Sequence, residues 1–233
     1  KVNSIILTQD VVKYFKNGTQ FNAKLVDSDG NPVANKIINF NINGVFYHKE
    51  TNKEGIATLN INLRPNTYII TSEYDNCFVS NNVTVKTTLV TNDLTKVYLG
   101  PESFNATVLD GQGKALANQN VTFNINGIFS ERKTNEKGVA QLNINLDPGN
   151  YIVTVYNLVT GEEKSNNINV VSRIQLLDLN NASNVILPGG YVIPVMSIGN
   201  GKAYAQCRAT TLDEKGNPLA NQLITFNING IIY

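Results

Sequence analysis

Tryptophan is absent from the 233 residues, methionine and histidine occur once each, and cysteine occurs twice. A metal cage needs several His, Cys or carboxylate ligands, and His-based catalysis needs a base with partners. Neither chemistry has much to draw on here, so no metal, no cofactor and no enzyme are expected. A charge surplus of one sign is also missing. Nineteen Lys+Arg face eighteen Asp+Glu, which leaves no counterion-release drive toward nucleic acid. Long hydrophobic runs are lacking too. No stretch approaches the ~20 apolar residues of a membrane span, and Lys1 leads straight into the strand-like Ser4-Ile5-Ile6-Leu7-Thr8 rather than into a signal peptide.

The residue in excess is asparagine, 37 of 233, and it falls in a repeat. Phe40-Asn41-Ile42-Asn43-Gly44 recurs as Phe123-Asn124-Ile125-Asn126-Gly127 and as Phe226-Asn227-Ile228-Asn229-Gly230. The first offset, 83, also matches Thr8 to Thr91, Phe21 to Phe104, Gly55 to Gly138 and Tyr68 to Tyr151. A two-residue insertion then aligns Ser80-Asn81-Asn82 with Ser165-Asn166-Asn167. A fixed period of this size means tandem domains. The expected boundaries are 1–86, 87–171 and 172–233, the third copy carrying an insertion between Leu177 and Tyr191 and stopping in mid-repeat. The chain is therefore expected to be a fragment of a longer array.

Within a repeat the hydrophobic period is two: Phe123, Ile125, Leu142 and Ile144 alternate with polar neighbours, as in half-buried strands. Asn17-Gly18, Asn43-Gly44 and Asn126-Gly127 suit two-residue type I′ hairpins. About seven short strands per repeat, with no apolar helical stripe, predict an all-β chain of tandem immunoglobulin-like β-sandwiches.

Few side chains invite a chemical reading. Cys207 aligns with Phe21 and Phe104, an inward strand position, and Cys77 lies in a different repeat, so no disulfide is expected. His48 reads as a solvated strand residue. Asp27-Ser28-Asp29-Gly30-Asn31 resembles the start of a calcium loop, but the other copies replace the Asp29 carboxylate with Gln112 or Lys215, the closing bidentate Glu is missing, and a β-turn is the better account. Lys24 stands where an intramolecular Lys–Asn isopeptide bond would need a buried amine, although the other copies carry Thr107 and Thr210. Sequons offer candidate N-glycosylation at Asn82, Asn105, Asn120 and Asn181; a fifth, Asn17, sits in a tight turn.

One surface feature repeats. If Asn43-Gly44 closes a two-residue hairpin, Ile42 faces Val45, Asn41 faces Phe46, and Phe46 points outward. Asn124 and Phe129 correspond. A ring among amides can stack on the C–H face of a sugar while the amides bond its hydroxyls, so Asn41, Phe46, Asn124 and Phe129 form a candidate ligand face. Contact with a neighbouring domain, or simple solubility of the strands, are the alternatives.

The runs Tyr14-Phe15-Lys16-Asn17-Gly18-Thr19-Gln20-Phe21, Gly30-Asn31-Pro32-Val33-Ala34-Asn35 and Phe40-Asn41-Ile42-Asn43-Gly44-Val45-Phe46-Tyr47 resemble repeats of adhesin-like surface proteins of methanogenic archaea. More loosely they resemble bacterial invasin/intimin-type immunoglobulin-like repeats. The resemblance implies an extracellular, cell-surface or cell-wall-associated chain, glycosylated on its sequons. Its partners would be a glycan or protein of another cell, or neighbouring copies of itself. Two functions are then open: weak binding modules that gain by multivalency, or a stalk or fibre subunit of spacer repeats, self-assembling by strand complementation in one variant.

Overall fold

A computed structural model describes residues 5–176, 208–228 and 230–232, with the backbone alone of 196–199 and 202–205. The described residues contain no helix, and so none long and apolar enough to cross a membrane. The expected insertion 177–191, Cys207 and the sequon at Asn181 lie outside the described side chains. Contacts group the chain into two compact units. The first is Lys1–Asn92 with Asn105–Gln141 and Thr154–Ser165; the second is Asp93–Phe104 with Leu142–Val153 and Asn166–Tyr233.

The first repeat supplies eight strands: β1 (Ile5–Thr8), β2 (Val11–Tyr14), β3 (Gln20–Val26), β4 (Ile37–Ile42), β5 (Val45–Glu50), β6 (Ile56–Asn60), β7 (Asn66–Tyr74) and β8 (Cys77–Lys86). They form a three-stranded sheet, β1-β3-β6, and a five-stranded sheet, β2-β8-β7-β4-β5. Of the pairings, β2 with β8 is parallel and the other registers are antiparallel. The second repeat lays down the same order. Strands β9 (Leu89–Thr91), β11 (Ser103–Val108) and β14 (Val139–Asn143) make the small sheet. Strands β10 (Leu94–Val97), β12 (Asn120–Ile125), β13 (Ile128–Lys133), β15 (Gly149–Asn157) and β16 (Glu162–Val171) make the large one. The chain is all-β and built as tandem immunoglobulin-like β-sandwiches. Among the described residues the third repeat contributes three pairs of short strands: β17 (Ile174–Leu176) with β20 (Ala209–Thr211), β18 (Met196–Gly199) with β19 (Lys202–Ala205), and β21 (Asn227–Ile228) with β22 (Ile231–Ile232).

Period-two alternation places the core. In the first repeat Phe21, Ala23, Leu25, Ile38, Phe40, Ile70 and Val83 are buried in one cluster, and Phe21 meets Phe40 edge to face at 5.7 Å and 89°. Burying each such large side chain contributes roughly 1.5 to 3 kcal/mol. Phe104, Phe123, Val121, Val153 and Ile168 are buried at the corresponding positions.

Polar devices fix where strands end. Tyr68 donates its hydroxyl to the Arg64 carbonyl at 2.9 Å, and Tyr151 to Asp147 at 2.8 Å. This tyrosine corner ties the start of the β7 or β15 strand to the preceding loop. Asp10 accepts the Asn82 N–H at 2.9 Å and the Asn81 amide at 3.0 Å. Asp93 does the same with Asn167 and Asn166. These bonds hold the chain where it leaves the small sheet for the large one.

The turns follow the expected chemistry with one exception. Asn43 (φ 51°) and Gly44 (φ 81°), like Asn126 and Gly127, form the two-residue hairpins, with Ile42 opposite Val45 and Asn41 opposite Phe46. Asn17-Gly18 forms no such hairpin. The strands it joins, β2 and β3, lie in different sheets. The turn is instead Tyr14–Asn17, closed by the Asn17 N–H on the Tyr14 carbonyl, with Lys16 at φ 61°.

Candidate functional site

The hairpin register builds the candidate face. Phe40 and Ile42 are buried, so their neighbours on β4 turn outward: Asn41, half-buried, stands opposite Phe46 on one side and Thr71 on the other. Thr71 in turn pairs with Ser80, and their hydroxyls are 2.9 Å apart. The row Phe46–Asn41–Thr71–Ser80 therefore crosses four strands of the large sheet. Ile69, 62% exposed, lies beside Asn82 on the same outward set. In the second repeat Asn124 stands opposite Phe129, and the Thr154 and Ser165 hydroxyls are again 2.9 Å apart. Phe46 is 57% and Phe129 63% exposed.

Two features modify the face read from sequence. The Asn41 amide oxygen accepts the Gly44 N–H at 2.9 Å, Asn124 does the same for Gly127, and Asn227 for Gly230. These oxygens cap the hairpin turn, leaving the Asn41 and Asn124 NH₂ groups as donors to a ligand. Thr71, Ser80 and Ile69 were not singled out by sequence, although their strand parity places them on the outward side once Phe40 and Ile70 are fixed as core.

The remaining candidates distribute as follows. Asn105 on β11 and Asn120 at the start of β12 are exposed. Asn82 is exposed on β8, with its amide 3.4 Å from Asp10 Oδ2. His48 is exposed, its Nδ1 2.6 Å from Asn39 Oδ1. Lys24 is on the solvent face of β3, which removes the buried amine that an isopeptide bond requires. Cys77 is a free thiol.

The Asp27 loop is a turn. Asp27 Oδ1 accepts the N–H groups of Asp29 and Asn31 at 3.0 and 2.9 Å; Asp110 and Asp213 repeat this with Gln112 and Lys114, and with Lys215 and Asn217. Hydrogen bonds hold the Asp27 and Asp213 carboxyls below their ordinary range, led by the Asn31 backbone N–H for Asp27 and by the Asn217 side-chain amide for Asp213. Among the described residues no three His, Cys, Asp or Glu side chains gather to hold a metal ion.

Two buried polar groups carry no signal in the candidate list. Lys13 is 5% exposed and donates to the Thr19 and Ile61 carbonyls at 3.0 and 2.8 Å; burial pulls its ammonium below the usual lysine range. Lys96 is its counterpart, on Glu102 and Ile144. The parity of Val11-x-Lys13-x-Phe15 marks it as inward.

No protein-family model and no curated protein sequence matches the chain. Among solved structures it is similar to the I9–I11 tandem of titin, at 14% identity over 76% of this chain and 68% of that one, TM-score 0.38. It is also similar to invasin, a bacterial integrin-binding protein, at 14% identity and TM-score 0.30, covering 96% of this chain and about half (48%) of invasin. A third is the pair of domains 4 and 5 of the S-layer protein SbsC, at 15% identity over 73% of this chain and 98% of that one, TM-score 0.25.

Proposed function

We propose that the chain is a non-enzymatic, cell-surface segment of immunoglobulin-like repeats, bounded at 1–86, 87–171 and 172–233, that supports attachment through a weak glycan-binding face on each complete repeat. The observation that carries this reading is the matched exposure of Phe46 and Phe129 beside Asn41 and Asn124. Where the repeats agree in their cores they do so for packing. Agreement at two exposed rings, 57% and 63% open, has no packing reason. A ring flanked by amide donors and a Thr–Ser hydroxyl pair offers both a stacking surface and polar contacts to a sugar. One such site binds weakly; many copies on one chain raise avidity. Extracellular placement, with sequons at Asn82, Asn105, Asn120 and Asn181 carrying glycans, belongs to the same reading.

The test is binding of the full chain, as monomer and as a multivalent display, to immobilised cell-wall polysaccharide. The multivalent form is expected to bind, and Phe46→Ala with Phe129→Ala to abolish binding with little change in stability, since both rings are exposed. Retained binding in the double variant would remove the face. No binding in either form would favour the second reading, spacer repeats of a stalk, which the Asn17–Gly111 hydrogen bond between successive repeats supports.

A further inference from the structure

The Asp-x-x-Gly turn occurs three times, and its surroundings differ. In the first repeat Ser28 and Gly30 are exposed, and a Cβ added to Gly30 would meet nothing within 4 Å. At the same positions of the second repeat Gly111 and Gly113 are half-buried, and a Cβ added to Gly113 would lie 2.3 Å from the ring of Tyr14. The two glycines share one backbone conformation, φ +83° and +81°. Turn geometry alone therefore does not account for the difference; a neighbour does. Asn17 donates its amide to the Gly111 carbonyl at 2.6 Å, while its own Oδ1 accepts the Thr19 N–H at 2.7 Å, which orients the amide outward.

The corner that receives this turn also recurs. Val97, Leu99 and Gly100 replace Tyr14, Lys16 and Asn17; Leu99 and Lys16 both have φ 61°, and the Gly100 N–H closes on the Val97 carbonyl as Asn17 does on Tyr14. Against that corner lies the turn of the third repeat. A Cβ on Gly216 would be 3.4 Å from Val97, and one on Gly100 would be 2.8 Å from the Glu214 carbonyl. The first of these contacts lies wholly within the first compact unit and the second wholly within the second.

We propose that the Asp-x-x-Gly turn is the docking element of the repeat. Its partner is the corner between the β2-type and β3-type strands of the preceding repeat, and together they form an orientation-fixing joint in place of a hinge. Gly113 is a specificity determinant for the joint: at its φ of +81° only glycine lets the backbone lie against the ring of Tyr14. A contact this small is sufficient because the connection Thr87–Thr88 is short, so the two surfaces meet at high effective concentration. The connection is itself held. Thr88 N–H and hydroxyl both donate to the buried Glu162 carboxylate at 2.7 Å, and Thr87 donates to its other oxygen. Asn17, a sequon by sequence, is committed to the joint, and a glycan there would open it.

The test measures the distance distribution between spin labels at Lys53→Cys and Lys137→Cys, both exposed turn positions, in the full chain with Cys77 and Cys207 changed to Ser. A narrow distribution is expected for this background and for Gly30→Ala, which strains an equivalent turn that touches nothing. Gly113→Ala and Asn17→Ala are expected to broaden it at least about twofold by releasing the tethered surfaces, while circular dichroism shows the sandwiches still folded. Asn17→Ala leaves both glycine turns untouched, so it separates docking from turn strain. A broad distribution in the background chain, or variants as narrow as Gly30→Ala, would overturn the joint.

Discussion

At the scale of single residues the two complete repeats serve as controls for each other. The Ser72 hydroxyl in β7 is fully buried and has no hydrogen-bond partner; Val155, equally buried, fills the matching position in β15. An unsatisfied buried hydroxyl costs about 1 to 3 kcal/mol, and each added buried methyl group contributes roughly 0.8. Crowding in a packed core takes back part of the gain. Ser72→Val is therefore expected to stabilise the first repeat by about 1 kcal/mol, a rise of roughly 4 to 8 °C in its melting temperature for a domain of this size. A fall on calorimetry would mean that the site around Ser72 is too tight for the valine that its twin accepts. Lys13 shows the opposite logic. Its side chain is buried, yet it donates to two strand-end carbonyls, those of Thr19 and Ile61, so its burial is tolerated for what it bonds.

At the scale of elements, the strands are held in register by backbone turns whose side-chain acceptors are mostly Asn and Asp. Asn52 accepts the N–H groups of Glu54 and Ile56, and Asn135 those of Lys137 and Val139. Part of the asparagine excess goes here. Asp10 matters most, because it joins the β1–β2 crossover to β8. The Asn82 N–H and the Asn81 amide hold its carboxyl below the ordinary value of 3.8. A carboxyl lowered on folding contributes stability that is fully present above its unfolded value and is lost as pH falls through the folded one. Urea midpoints are thus expected to be flat from neutral pH down to about 5 and to drop below about 4. Asp10→Asn should lower the midpoint at neutral pH and flatten the acid limb; an unchanged limb would show that other carboxylates set it. The hairpin register, the outward Phe46 and the sandwich class were legible in sequence because period-two patterning and Asn-Gly turns are local signals. The Asn17-Gly18 turn departs from its sequence expectation for a physical reason: the dipeptide suits a type I′ hairpin, but tertiary pairing sends β2 and β3 to different sheets and moves the left-handed residue to Lys16. The cap on Asn41 also escaped, since a side chain that bonds its own turn looks in sequence like one that faces a ligand.

At the scale of the whole chain, repeats of one fold need not share their stability equally, because in a tandem array stability is close to a sum of repeat and neighbour terms. The repeats differ most at one hairpin. In the first, β7 and β8 are joined by the two residues Asp75 and Asn76, both at positive φ, with Tyr74 opposite Cys77. In the second, the two-residue insertion lengthens the link to Leu158–Gly161, and a buried network fills the space beneath it. Asn157 is 1% exposed and reaches Thr88, Thr160 meets the Thr88 hydroxyl at 2.9 Å, and Glu162 is 4% exposed. Glu162→Ala leaves the buried Thr88 N–H without an acceptor, at a cost of about 2 to 3 kcal/mol. Glu162→Gln is expected to recover most of that, because its carbonyl can take the place of Oε2. The loss should be local. Amides of β15 and β16 are expected to exchange hydrogen faster in Glu162→Ala, while those of β7 and β8 keep their protection. Equal loss in both repeats would instead mean that the Thr87–Thr88 connection couples their folding, so that the two sandwiches open as one cooperative unit.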